Sequence, residues 1–276
     1  MNENKSSLKI NYWFLMAVAA LILLSTAITT LLFTRASGIL NKKIAETAAA
    51  NRPADLEIVI LNDKTCPDCF DISPILAQIE GENVKIGSRQ IIDMDSEESK
   101  KLIEKFAIKK LPTFLISGEL TRNSVLVKFF SQAGDITENT FVFRQTGGPF
   151  VDITTGKIKG RTNLVLLTDI TCTECYDVTQ HENILKKFGM QPTSKVVDVK
   201  STEGKSLVNK YGIKMVPTFI LTGEINQFPS FKPVWPDVGV IAYDGAYVFT
   251  KGVEFMGTYK NLATNKIVVP SSEPNQ

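Results

Sequence analysis

Phe106-Ala107-Ile108-Lys109-Lys110-Leu111-Pro112-Thr113-Phe114-Leu115-Ile116-Ser117-Gly118-Glu119 returns later in the chain as Tyr211-Gly212-Ile213-Lys214-Met215-Val216-Pro217-Thr218-Phe219-Ile220-Leu221-Thr222-Gly223-Glu224. Working outward, the repeat extends upstream with a period near 106 residues, counted from Cys66 to Cys172. Leu56 to Asp63 matches Asn163 to Asp169, both aliphatic runs of strand length suited to a buried parallel strand. A Cys-x-x-Cys follows each: Cys66-Pro67-Asp68-Cys69 and Cys172-Thr173-Glu174-Cys175. These hold all four cysteines of the chain. Next come helical segments (Phe70 to Ile79, Tyr176 to Phe188), then second strands (Gln90 to Asp95, Lys195 to Lys200). Polar helices follow (Ser99 to Phe106, Gly204 to Tyr211), then the Pro-Thr-Phe segment. Each copy therefore reads β-CxxC-α-β-α-Pro-β, with a further aromatic strand at Phe141-Val142-Phe143 or Tyr247-Val248-Phe249. The βαβ unit should be right-handed and places a parallel sheet at the centre, with the cysteines at a strand's carboxyl end and a helix's amino end.

At 276 residues the chain has room for about two domains. A net charge of +2 and the lack of a basic stripe argue against nucleic acid as a partner. Tyr12 to Phe33 has no charged residue and is long enough to cross a ~30 Å hydrocarbon core. A cleaved leader is the competing reading, but its apolar stretch is shorter, ~7–15 residues. The expectation is a retained anchor, with Tyr12 and Trp13 at the interface. Bare positive-inside counting weighs Lys5 and Lys9 against Arg35, Lys42, Lys43 and Arg52 and favours the opposite orientation. The short tail resembles a signal anchor, however, and long domains translocate largely regardless of charge. The N-terminus is placed in the cytoplasm and the bulk outside it.

Strand, CxxC and helix, followed about forty residues later by the Pro-Thr segment, all occurring twice, resemble the thioredoxin fold. The resemblance implies an α/β chain: two tandem thioredoxin-like domains, three-layer α/β/α, after one transmembrane helix. The divisions are residues 1–11 as tail, 12–33 as membrane helix, 34–54 as helical linker, 55–159 and 160–269 as the two domains, and 270–276 as a disordered tail. The resemblance also implies cis bonds at Leu111-Pro112 and Val216-Pro217. Leu111, Pro112, Val216 and Pro217 would then pair with an extended substrate beside the sulfurs. Two departures stand out. Thr65 and Thr171 occupy a position where the family often has Trp, and Ile60 and Leu166 occupy that of its buried acid. Asp63 and Asp169, three residues before the first cysteine, are open as substitutes.

The thiolate is the nucleophile, and a helix N-terminus lowers its pKa from ~8.5. Cys66 and Cys172 are expected to attack, while Cys69 and Cys175, less exposed, resolve the mixed disulfide. Pro67 suits a first helical turn. Asp63, Asp68 and Asp71 around one pair, and Asp169, Glu174 and Asp177 around the other, oppose thiolate formation. Lys64 is the local compensation. A four-thiolate zinc site and two permanent disulfides are competing readings. The wide separation of the pairs weighs against the first, and the tiny loop a 3-residue spacing closes weighs against the second. His181, the sole histidine, is expected on an exposed helix surface rather than as a copper ligand. Phe228 to Trp235 reads as a packed cap, with a partner-binding loop as the alternative.

The expected function is a membrane-anchored thiol–disulfide oxidoreductase with Cys66, Cys69, Cys172 and Cys175 as catalytic residues and no cofactor or metal. Its partners would be protein thiols and disulfides, a redox partner protein, and the membrane through Tyr12 to Phe33. The alternatives are a redox-inactive binding module on the same fold and a thioredoxin-like metal carrier.

Overall fold

The computed structural model describes residues 12–270; the expected tail at 1–11, with Lys5 and Lys9, and all but Pro270 of the one expected at 270–276 lie outside the described residues. The described chain divides into two compact units at Pro53/Ala54. The first holds one helix, α1 (Tyr12–Asn51), so the apolar run and the connector after it are continuous. Its Leu15–Thr47 stretch, whose most apolar 18-residue window has a mean hydropathy of 2.3, is long and apolar enough to cross a membrane, a property that a signal sequence shares.

The second unit contains both copies of the repeat. The first copy runs β1 (Ala54–Asn62), α2 (Ser73–Glu80), β2 (Val84–Asp93), α3 (Glu97–Lys105), β3 (Lys110–Leu111), β4 (Thr113–Gly118), α4 (Ser124–Ala133), β5 (Gly134–Thr137), β6 (Thr140–Phe143), β7 (Phe150–Asp152) and β8 (Lys157–Lys159). The second runs β9 (Thr162–Thr168), α5 (Gln180–Lys187), β10 (Thr193–Asp198), α6 (Thr202–Tyr211), β11 (Met215–Val216), β12 (Thr218–Gly223), α7 (Trp235–Val238), β13 (Gly239–Ile241), β14 (Tyr247–Phe249), α8 (Val253–Met256), β15 (Tyr259–Asn261) and β16 (Lys266–Val268). The five-stranded sheets have equivalent orders, β2-β1-β4-β6-β5 and β10-β9-β12-β14-β13. In each, the first two strands in sequence are parallel, and the strand after the proline is antiparallel to the first.

β1 alternates buried and exposed residues over Ala54 to Ile58 and then buries Ile60 and Leu61 in succession and half-buries Val59 and Asn62, because helices cover both faces of its inner end. One face packs Leu56, Ile58, Phe114 and Ile116 against Leu76, Ile79, Leu126 and Phe130 of α2 and α4. The other packs Leu61 and Leu115 against Phe106, Ile108 and the α3 side chains Leu102 and Ile103. This is the three-layer arrangement. The second copy repeats it with Leu164, Leu166 and Phe219 on one face and Leu167, Ile220 and Val197 on the other. There, Phe228, Phe231 and Trp235 are buried in the core, so the aromatic insert is a cap.

The repeated motif residues have repeated jobs. The Thr113 hydroxyl donates to the Phe143 carbonyl at 2.6 Å, and Thr218 does the same to Phe249. The rings that follow stack across the sheet, Phe114 on Phe143 at 4.7 Å and Phe219 on Phe249 at 5.0 Å. Gly118 and Gly223 have φ of +112° and +108°, and a Cβ there would lie 2.3 and 2.4 Å from the carbonyls of Asp55 and Arg161. Glu119 and Glu224 then accept backbone N–H groups at the start of the neighbouring strand.

Candidate active site: two Cys-x-x-Cys turns

Both pairs are disulfides, Cys66–Cys69 and Cys172–Cys175. Each follows the carboxyl end of the first strand of its half. They are not on a helix. Cys66 N–H donates to the Asp63 carbonyl at 3.2 Å and Cys69 N–H to the Cys66 carbonyl at 3.2 Å, so two turns follow one another. Pro67 occupies the second position of the latter turn, which its fixed φ favours. The helices begin later, at Ser73 and Gln180, rather than at Phe70 and Tyr176. The cause is local. Phe70 N–H donates to the Pro149 carbonyl at 2.7 Å and Tyr176 N–H to the Thr258 carbonyl at 2.8 Å, in place of a helical acceptor. Asp71 Oδ1 accepts from Ser73 N–H at 2.9 Å, and it is Pro74 that occupies the first helical turn. A macrodipole acts mainly within its first turn, so it does not supply the expected activation at Cys66.

The exposure order of the first pair is also the reverse of the expectation. Cys66 is 4% exposed, whereas Cys69 is half-buried; both Cys172 and Cys175 are half-buried. Cys66, Cys69, Asp63, Asp71 and Pro112 line one open cleft of about 450 Å³.

Leu111-Pro112 and Val216-Pro217 are cis, as is Gly148-Pro149, which no sequence feature singled out. Leu111 pairs with Val151 and Val216 with Lys260 in two small sheets, β3-β7-β8 and β11-β15-β16. Both residues are fully buried, and both strands are the outer ones of their sheets. The proline carbonyls are held by different side chains. Thr146 donates to Pro112 O at 2.8 Å, whereas Tyr176 donates to Pro217 O at 2.6 Å.

His181, expected on the surface, is 1% exposed. Its Nε2 lies 3.0 Å from the Tyr176 hydroxyl, and its ring packs on Phe219 and Phe249. The phenol proton goes to Pro217, so Nε2 donates to the phenol oxygen. Burial lowers His181 to about 4 and raises the Tyr176 phenol above its ordinary value, so both are neutral at pH 7. The helical period could not show this, because α5 turns its histidine inward against aromatics contributed by β12 and β14.

The acids before the cysteines are buried in both halves, Asp63 at 6% and Asp169 at 2% exposed. Each uses Oδ1 to accept the N–H and hydroxyl of the threonine two residues on. They then diverge. Asp169 meets Lys260 Nζ at 2.6 Å and Lys200 Nζ at 3.0 Å. Burial pushes its carboxyl up, but the bonds from Lys260, Thr171 and Lys200 outweigh this and hold it well below the usual carboxylate range. Val151 and Asp95 stand at the corresponding places in the first half, and among the described residues no cation pairs with Asp63. Lys64, the expected compensation, turns to Asp93 at 3.2 Å. The cation at the first pair is Arg161, the residue just before β9, with Nε and Nη2 each 3.0 Å from an oxygen of Asp68.

No protein-family model matches the chain, and no curated protein matches it. Among solved structures it is similar to the alkylhydroperoxide reductase protein AhpF of Enterococcus faecalis, at 14% identity, covering 64% of this chain and 86% of that one, with a TM-score of 0.21. It is similar to a protein disulfide oxidoreductase of Aeropyrum pernix at 14% identity, covering 67% and 83%, with a TM-score of 0.17. Human ERp44 is similar at 13% identity, covering 64% and 47%, with a TM-score of 0.16. Likeness this distant carries no argument about chemistry, and the fold rests on the chain's own topology. The strand orders, the two covered faces, and a Cys-x-x-Cys with a cis-proline segment in each half make the second unit thioredoxin-like twice over.

Proposed function

We propose that the chain is a membrane-anchored thiol–disulfide oxidoreductase acting on protein dithiols and disulfides, with Cys66–Cys69 as its principal exchanging pair. The cleft that holds both sulfurs beside Pro112 carries this reading, because an exchange partner must bring a sulfur in line with the disulfide. The outer edge of β3, reached through the cleft at Pro112 with Leu111 buried behind it, would take an extended partner segment. β11, at Val216 and Pro217, offers the same in the second half.

In the reducing direction, the Cys66 thiolate, nearly buried but lining the open cleft, attacks one sulfur of a partner disulfide brought into that cleft. A mixed disulfide forms and the partner's other sulfur leaves as thiolate. The Cys69 thiolate then attacks Cys66 Sγ, re-forming the 66–69 bond and releasing the second partner thiolate. Two electrons pass to the partner, and a dithiol redox partner restores the pair by the reverse steps. Asp63 lines the same cleft and pairs with no cation among the described residues, which supports it as the acceptor for the Cys69 proton. Asp169, locked between two ammonium groups, is already committed, which supports the first pair over Cys172–Cys175. The apolar helix supports anchoring, with the N-terminus cytoplasmic and residues 55–159 and 160–269 as the two extracytoplasmic domains.

The test is insulin reduction by the full chain in non-ionic detergent. Cys66→Ser should remove most of the activity and Cys172→Ser less than half, with the double variant at background. Wild-type protein no faster than the double variant would end the enzymatic reading.

A further inference from the structure

We infer that Arg161, a residue of the second half, is a positioning residue for the first Cys pair: its guanidinium neutralises Asp68 and thereby sets the acidity of Cys66. The inference rests on the exchange reading above and adds how that site is tuned.

Asp68 lies inside the Cys66–Cys69 turn. Its Oδ1 is 3.7 Å from Cys66 Sγ. That same oxygen is 3.0 Å from Arg161 Nη2, and Oδ2 is 3.0 Å from Nε, a two-pronged pairing. On reduction, a Cys66 thiolate would therefore face a carboxylate that is already paired. The Asp68 carboxyl is held below its ordinary value chiefly by the Arg161 bonds.

The other charges near the pair are committed elsewhere. Lys64 is bound to Asp93 at 3.2 Å and Arg89 to Glu80 at 3.0 Å. Asp63 accepts from Thr65, and Asp71 accepts from Ser73. Glu224, the acid next to Arg161, uses Oε2 on the N–H groups of Gly160 and Arg161. Among the described residues no helix N-terminus abuts Cys66, so Arg161 is the cation that offsets Asp68.

The backbone of Arg161 is set by the repeat, whereas its side chain is particular to this copy. The equivalent residue of the first half is Asp55, whose N–H likewise meets a glutamate, Glu119. Further seam contacts hold the turn in register with the second half. Asp71 N–H donates to Gln191 Oε1 at 3.0 Å, and Gly148 and Gly189 share a backbone bond at 2.8 Å. Arg161 precedes β9, and the second pair follows its far end, about 20 Å away at ~3.3 Å per residue, so Cys172 is an internal control.

Two unit charges 3.7 Å apart shift an equilibrium about fivefold or more even at the dielectric of water. The experiment uses the full chain in non-ionic detergent. First, oxidised and reduced fractions of each pair are read after glutathione equilibration. Then, in the reduced protein, alkylation rates at Cys66 and Cys172 are followed against pH by peptide mass spectrometry. Arg161→Gln should lower the Cys66 acid dissociation constant about fivefold, and Asp68→Asn should raise it. The double variant and Arg161→Lys should return near wild type, with Cys172 unmoved throughout. A merely structural role would make both single variants move the same way without cancelling in the double. That pattern, or a change under twofold in both, overturns the inference. If neither pair of the wild type exchanges with glutathione, it is the oxidoreductase reading that fails.

Discussion

Replacing Lys260 with methionine removes one of two ammonium groups from a carboxylate that is almost wholly out of water. The Asp169 side chain is 1% exposed and Lys260 is 14% exposed, whereas Lys200, the remaining partner, is 52% exposed. A buried charge stripped of its only partner costs ~3–5 kcal/mol. Here Lys200 at 3.0 Å and Thr171 remain. The loss is therefore that of one charge-assisted hydrogen bond, about 1.5–3 kcal/mol. With a urea slope of ~2 kcal/mol/M this moves the midpoint down by about 1 M. The pH dependence separates this from a packing defect. The Asp169 carboxyl is lower in the folded chain than in the unfolded one, so its contribution is complete above the unfolded value. It is lost as pH falls through the folded one. The deficit of Lys260→Met should thus be full at pH 7 and smaller at the lowest pH at which the fold survives, below the ordinary carboxylate range. Fluorescence of the buried Trp235 in a Trp13→Phe background reads the transition in the second half. An unchanged midpoint at pH 7, or an equal deficit at both pH values, would refute the reasoning.

His181 predicts a second pH effect of opposite origin. Burial lowers its folded value to about 4 from 6.5, so the unfolded chain binds the extra proton between those values and stability falls as pH drops across them. The span amounts to about 3 kcal/mol, and His181→Phe should flatten the melting temperature over that range; an identical slope in the variant would contradict the neutral buried assignment. Gly147→Ala places a methyl 2.2 Å from the Gly189 carbonyl and 2.5 Å from the Phe70 ring, and should cost about 1–3 kcal/mol by thermal melting. Gly156→Ala, with open space around it but φ of +64°, should cost about 1 kcal/mol, and equal effects would show that the seam yields easily.

Much of this protein is written along the chain. The period from Cys66 to Cys172, the aliphatic strands and the Pro-Thr-Phe segments dictate two copies of one α/β unit, because each signal depends on residues close together in sequence. Phe114 and Phe219 sit in short, nearly continuous apolar runs, so their burial in a strand covered on both faces is legible from composition alone. Other features depended on contacts from far away. The helices after the cysteines start late because Pro149 and Thr258 capture the N–H groups of Phe70 and Tyr176. His181 is buried because β12 and β14 present aromatic rings to α5. Asp63 and Asp169 look alike as sequence, yet only Asp169 meets two lysines, 31 and 91 residues downstream. Arg161 is 93 residues from Asp68 and carries no motif. Local sequence determined which backbone could form. The charges that bear on the sulfurs were decided by which distant side chains the packing of the two halves brought within a few ångströms, and Coulomb interactions follow distance in space rather than separation along the chain.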